Sequence, residues 1–160
     1  MPLVDSSIRT IDSSVSHTWH IAATPNRVWW ALTDPVALRQ WLGKLAAGTF
    51  IAGDVVRIQH APGYFCTSRI AECEPEHRLH MTWEFPDEPL SVVTIRLAPE
   101  VGGTRIELTH EGLGDDARNY LPGWHTHLLY LEALLLGQPR SMTDFWSTYE
   151  EISKNETGFH

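Results

Sequence analysis

The chain has 160 residues, 42% of them hydrophobic and 20% charged, with a formal net charge of −8 and a pI near 5.5. Those figures suit a single domain with a real core, and the acid excess without a basic run argues against a nucleic-acid-binding surface. No stretch is long and apolar enough to span a membrane, and Met1–Ser7 lacks the basic-then-apolar order of a secretory signal, so no membrane contact and a cytoplasmic location are expected.

Residues 1–10 read as a loose leader. His17–Ala22 reads as a strand end with Trp19 and Ile21 on one face. Two short helices are predicted next, over about 25–33 and 35–42. Thr24 caps the first with Pro25 at its first position, and Asp34 caps the second with Pro35. This segment carries three of the seven tryptophans, Trp29, Trp30 and Trp41. Trp29 and Trp30 point to different sides of the first helix, so they divide between core and surface. Gly43 and Gly48 bracket a connection.

From there to residue 111 the sequence reads as about six short strands broken by turns. Val56 and Ile58 alternate with Arg57 and Gln59; Ala61-Pro62-Gly63 turns the chain into Tyr64–Glu74. Leu79, Met81, Trp83 and Phe85 alternate with His80, Thr82 and Glu84. Val93, Ile95 and Leu97 follow, and Val101-Gly102-Gly103 signals a hairpin into Thr104–Glu111. The period then changes. Ala117, Tyr120, Leu121, Trp124, Leu128, Leu131 and Leu135 recur at helical spacing, with Pro122 starting or kinking the helix and Gly137 with Pro139 stopping it. Ser141 is placed to cap a short final helix carrying Phe145, Trp146 and Tyr149, which pack along the sheet edge or on a partner subunit.

Short loops favour hairpins, so the sheet is antiparallel, and its apolar face needs the long helix as cover. The two cysteines, Cys66 and Cys73, are expected to be free thiols on opposite faces of one strand because their separation is odd. His125 and His127 lie two apart on a helix, and His17 and His20 have opposite strand parity. No His-Glu-x-x-His run, Cys-x-x-Cys pair, nucleophile elbow or phosphate-binding glycine loop is present in the sequence, so neither a metal nor a cofactor is expected.

Several of these features together resemble the START-like (SRPBCC) superfamily, and within it the group named after the activator of heat-shock protein 90 ATPase. The residues that carry the resemblance are Ala23-Thr-Pro-Asn-Arg-Val-Trp, Thr33-Asp-Pro with Leu38 and Trp41, and Gly53-Asp54-Val55. Glu74-Pro75 with Arg78-Leu79, Thr82-Trp83, Thr109-His110-Glu111-Gly112-Leu113 and Gly123-Trp124 continue it. It covers about 15–137, with 138–160 as a helical extension of the same single domain over 1–160. Leu42 stands where the group often has a second tryptophan. The resemblance implies an α+β helix-grip fold: a curved antiparallel sheet wrapped around a long C-terminal helix, two short helices after the first strand, and a hydrophobic cavity between sheet and helix. The group is functionally diverse, so membership speaks to fold before function.

Trp19, Phe50, Ile58, His60, Tyr64, Trp83, His110, Trp124, His127, Leu128 and Leu131 are the residues expected to converge on that cavity, with Trp41 at its mouth. Each aromatic has a bland alternative as core packing, and Trp41 as a plug between helices and sheet. His60, Tyr64 and His110 offer hydrogen bonds, and His127 offers either another or a group titrating near neutral pH. Non-catalytic binding of a small hydrophobic or aromatic molecule ranks first. A protein-interaction module, such as a chaperone co-factor or stress-response accessory, ranks second; a polyketide cyclase-like or hydrolase-like enzyme using pocket His and Tyr ranks third. Acid–base work would need a His oriented by a buried carboxylate, and Glu84 and Glu111 have the parity of the opposite sheet face. Candidate partners are therefore a small hydrophobic molecule, a second copy of the chain and a chaperone.

Overall fold

The computed structural model describes residues 3–9 and 13–157. Two strands, β1 (Leu3–Arg9) and β2 (Ser14–Ile21), come first. Helices α1 (Pro25–Thr33) and α2 (Pro35–Leu38) follow, then β3 (Lys44–Ala47) and β4 (Val55–Ala61). The chain continues through β5 (Tyr64–Glu74), β6 (Arg78–Trp83), β7 (Ser91–Glu100) and β8 (Gly103–Glu111). The long helix α3 (Ala117–Leu135) and a final helix α4 (Phe145–Thr157) complete the molecule. All the strands form one antiparallel sheet in the order β1-β2-β8-β7-β6-β5-β4-β3. This is the helix-grip arrangement, with α3 lying against the buried sheet face.

The helix starts form as the sequence dictates. Thr24 Oγ1 accepts from the Arg27 amide at 3.3 Å, and Asp34 Oδ1 accepts from the amides of Val36 and Ala37 at 2.9 and 3.3 Å. Val28, Ala31 and Leu32 bury one face of α1. Trp29 and Trp30 are both half-buried, and Arg27 lies over the Trp30 ring at 4.7 Å. The second helix is shorter than its predicted 35–42 span: it ends at Leu38, whose carbonyl takes the amides of both Leu42 and Gly43 in a tight turn. Gly43 is required there, since a Cβ would lie 2.6 Å from the Gln59 carbonyl oxygen.

Five expectations are corrected. The predicted leader over 1–10 contains strand β1 within the described residues, paired to β2 from Leu3 to Arg9; residues 1, 2 and 10 lie outside them. The short helices therefore follow the second strand rather than the first. The connection bracketed by Gly43 and Gly48 holds the short strand β3. Cys66 and Cys73 do not face opposite sides: a bulge between Ile70 and Glu72 resets the alternation of β5, so Cys73 pairs opposite the buried Leu79 and packs against the core that holds Cys66. Both thiols are free. Pro122 does not start α3; it lies inside the helix, buried, and its carbonyl accepts from Thr126 Oγ1 at 2.7 Å. Gly137, at φ +80°, then ends the helix.

Candidate functional site

A cavity of about 460 Å³ opens between the β4–β6 end of the sheet, the first half of α3, and α4. His60, Ala61 and Tyr64 line it from β4 and β5, and Trp83, Phe85 and Glu88 from β6 and the turn after it. Asn119, Tyr120, Gly123, Trp124 and His127 line it from α3; Leu42 closes one corner. Met142, Phe145, Trp146 and Tyr149 form the outer wall. The walls are aromatic and mutually braced: Trp83 and Trp124 have ring centroids 5.1 Å apart, and Tyr64 stacks on Phe85 at 4.5 Å.

Among the residues expected to converge, His60, Tyr64, Trp83, Trp124 and His127 do so. The others lie elsewhere. Trp19 is buried against His125 on the far side of α3, because two residues apart on a helix puts His125 and His127 on nearly opposite sides. Phe50, Ile58, Leu128 and Leu131 are buried core. Trp41 is not at the mouth. It is 1% exposed, donates its indole N–H to the Ala31 carbonyl at 2.7 Å, and meets His127 edge-on, so it plugs the helix pair against α3. Leu42, the next residue, takes the cavity position.

His110 sits behind the cavity wall. Trp124 Nε1–H donates to its Nδ1 at 3.0 Å. That fixes the proton on Nε2, which faces Ser91 Oγ at 2.7 Å, and the Ser91 hydroxyl donates to the Trp83 carbonyl at 3.2 Å. The relay locks Trp124 and Trp83 in place from behind. Burial holds the His110 pKa down at about 3. His60 is likewise held at about 3, by burial and then by the neighbouring His127. His127 donates from Nδ1 to the Trp41 carbonyl at 2.8 Å, which leaves Nε2 as an acceptor. Burial lowers its pKa to about 4, so the expectation of titration near neutral pH is overturned. Three neutral rings, not imidazolium ions, serve the site.

One end of the cavity is acidic. Trp83 Nε1–H donates to the Tyr120 hydroxyl at 3.0 Å, and that hydroxyl donates to Glu88 at 2.6 Å. Tyr64 donates to Asp87 at 2.6 Å. Burial raises the Glu88 pKa; the Tyr120 hydrogen bond opposes this, and the charges of Asp116 and Asp87 add to it. Glu84 and Glu111 are exposed on the other sheet face, as their parity requires. Among the described residues no three His, Cys, Asp or Glu side chains gather to hold a metal ion.

Sequence reading missed Phe85, Glu88, Tyr120 and the α4 wall as site residues. Phe85 was visible, since it continues the alternation of Trp83. Tyr120 shares the helical stripe of Trp124, one turn earlier. Glu88 lies in a Pro-bounded turn, where hydropathy carries no signal. Phe145, Trp146 and Tyr149 were expected on the sheet edge or a partner subunit. Within the chain α4 folds back on α3 rather than along the sheet edge: Phe145 packs on His127 at 4.5 Å and on Tyr130 at 5.5 Å.

A family model described as Activator of Hsp90 ATPase homolog 1-like protein matches residues 22–135. The chain belongs to that family. This family member is similar in fold to CalU16 from Micromonospora echinospora, with a TM-score of 0.76 at 23% identity over 98% of this chain and 95% of CalU16. It is similar to protein CV1439 from Chromobacterium violaceum, with a TM-score of 0.71 at 28% identity over 79% of this chain and 99% of the other. DynU16, a protein in the dynemicin biosynthetic locus, has a TM-score of 0.73 at 26% identity over 80% of this chain and 49% of its own. No curated protein matches the chain. The matched family segment ends at Leu135, so α4 and its cavity wall lie outside it.

Proposed function

We propose that this family member binds a small hydrophobic or aromatic molecule in the cavity beside Trp83 and Trp124, without transforming it. One observation carries the reading: a cavity of about 460 Å³ whose walls are largely aromatic, with Tyr64, Tyr120, Glu88 and His127 held by hydrogen bonds. That is the build of a site that gains affinity from apolar burial, at about 25 cal/mol per Å², and orientation from a few hydrogen bonds. The histidines support binding over acid–base catalysis. His110 is committed to Trp124 and Ser91, and His127 to the Trp41 carbonyl, and neither hydrogen-bonds a carboxylate.

Nile red, a neutral apolar dye, provides the test. The expected result is saturable one-to-one binding with quenching of tryptophan emission, weakened several-fold in Trp146→Ala, whose side chain is 66% exposed and carries little of the fold. Absence of saturable binding by the folded protein would contradict the reading.

A further inference from the structure

The cavity holds one ionisable carboxylate and is lined by neither Lys nor Arg. Glu88 takes no part in the ion pairs found among the described residues, which involve Glu72, Glu100 and Glu107. Its hydrogen-bond partner is the neutral Tyr120 hydroxyl, and the charges that act on it, Asp116 and Asp87, are themselves negative. His60 and His127, the bases in the same lining, are held uncharged at neutral pH by burial. A half-buried carboxylate thus faces an aromatic cavity without a counter-ion, and an uncompensated charge in that setting is costly.

We infer that the ligand is an apolar arylalkyl amine, its protonated nitrogen set against the Glu88 carboxylate and its aromatic body packed among Trp83, Phe85 and Trp124. The inference rests on the binding reading above and names the chemistry of its occupant. An ammonium group supplies the missing counter-ion, and the surrounding ring faces favour a cation over an anion. A neutral hydroxyl satisfies a hydrogen bond but leaves the charge unanswered. A carboxylate places a second anion beside the first, next to Asp87 and Asp116. Neutral His60 and His127 impose no positive charge that would repel the amine.

Three probes sharing one naphthyl body separate these cases: naphthylethylamine, naphthylethanol and naphthylacetic acid, titrated calorimetrically against the whole protein at neutral pH. The amine is expected to bind about tenfold or more tighter than the alcohol, with the acid weakest. In Glu88→Gln, which keeps an acceptor for Tyr120, the amine-to-alcohol ratio falls to about one. An alcohol that binds as tightly as the amine, or a ratio unchanged in Glu88→Gln, overturns the inference while leaving the binding reading intact. Failure of all three to bind overturns both. The ratio in the native protein stands whether or not the variant folds.

Discussion

His110, His60 and His127 are neutral side chains held by burial, and their depressed pKa values make stability depend on pH in one direction. In the unfolded chain each takes a proton near 6.5; in the folded chain His60 and His110 do so only near 3, and His127 near 4. Between those limits the unfolded state binds more protons, so stability is full above about pH 6.5 and falls as pH drops, by up to about 1.4 kcal/mol per pH unit per histidine. Glu88 and Glu132, raised mainly by burial, act with the opposite sign and reduce the net slope. His110→Gln, which still accepts from Trp124, should lower that slope by about one proton when urea unfolding is compared near pH 7 and near pH 5. An unchanged slope would show that His110 is not the buried neutral group described. Trp41 gives a second residue-scale prediction. Trp41→Phe leaves the Ala31 carbonyl without its donor and opens a small void, at a cost of about 2–3 kcal/mol in urea unfolding, with dye affinity nearly unchanged. A residue at the cavity mouth would show the reverse. Sequence alone left Trp41 ambiguous because one helical turn can aim an indole into a cavity or under a neighbouring helix; only the position of α3 decides.

Secondary-structure elements were readable where chemistry repeats. The Thr-Pro and Asp-Pro starts of α1 and α2 rest on local hydrogen bonds, and β6 to β8 on strict alternation. The misses share a cause: the deciding interaction was not local. β1 is an edge strand held by backbone pairing with β2, so hydropathy hardly marks it. The β5 bulge inserts one residue and moves Cys73 to the core side, which parity counting cannot foresee. The aromatic run in α4 was visible, but its partner was not. That helix separates packing from lining. Phe145 is 6% exposed against His127 and Tyr130, so Phe145→Ala should cost about 3 kcal/mol by thermal or urea unfolding. Trp146→Ala, on the exposed rim, should change stability by no more than about 0.5 kcal/mol while weakening dye binding. Equal stability losses in the two variants would contradict the assignment of α4 as a packed wall with an exposed rim.

Over the whole molecule, the sheet order follows from a chain that turns back on itself at nearly every loop, with the β2–β8 pairing bringing the two ends of the domain together. That pairing places α3 across the buried face, where Trp19, Leu128 and Leu131 are part of the filled core. Between the β4–β6 end of the sheet, the first half of α3 and α4 the filling stops short, and Trp83 and Trp124, packed on each other, line open space. The family resemblance made a cavity between sheet and helix legible in advance. Its exact walls were not, because whether an inward aromatic fills or lines depends on how far α3 and α4 stand from the sheet. The indole N–H groups report on this directly. In a proton–nitrogen correlation spectrum titrated with naphthylethanol, the signals of Trp83, Trp124 and Trp146 should move together and saturate. Those of Trp19 and Trp41, buried away from the cavity, should stay in place. Movement of the Trp19 or Trp41 signal with Trp83 and Trp124 unmoved, or no saturable movement at all, would contradict the account.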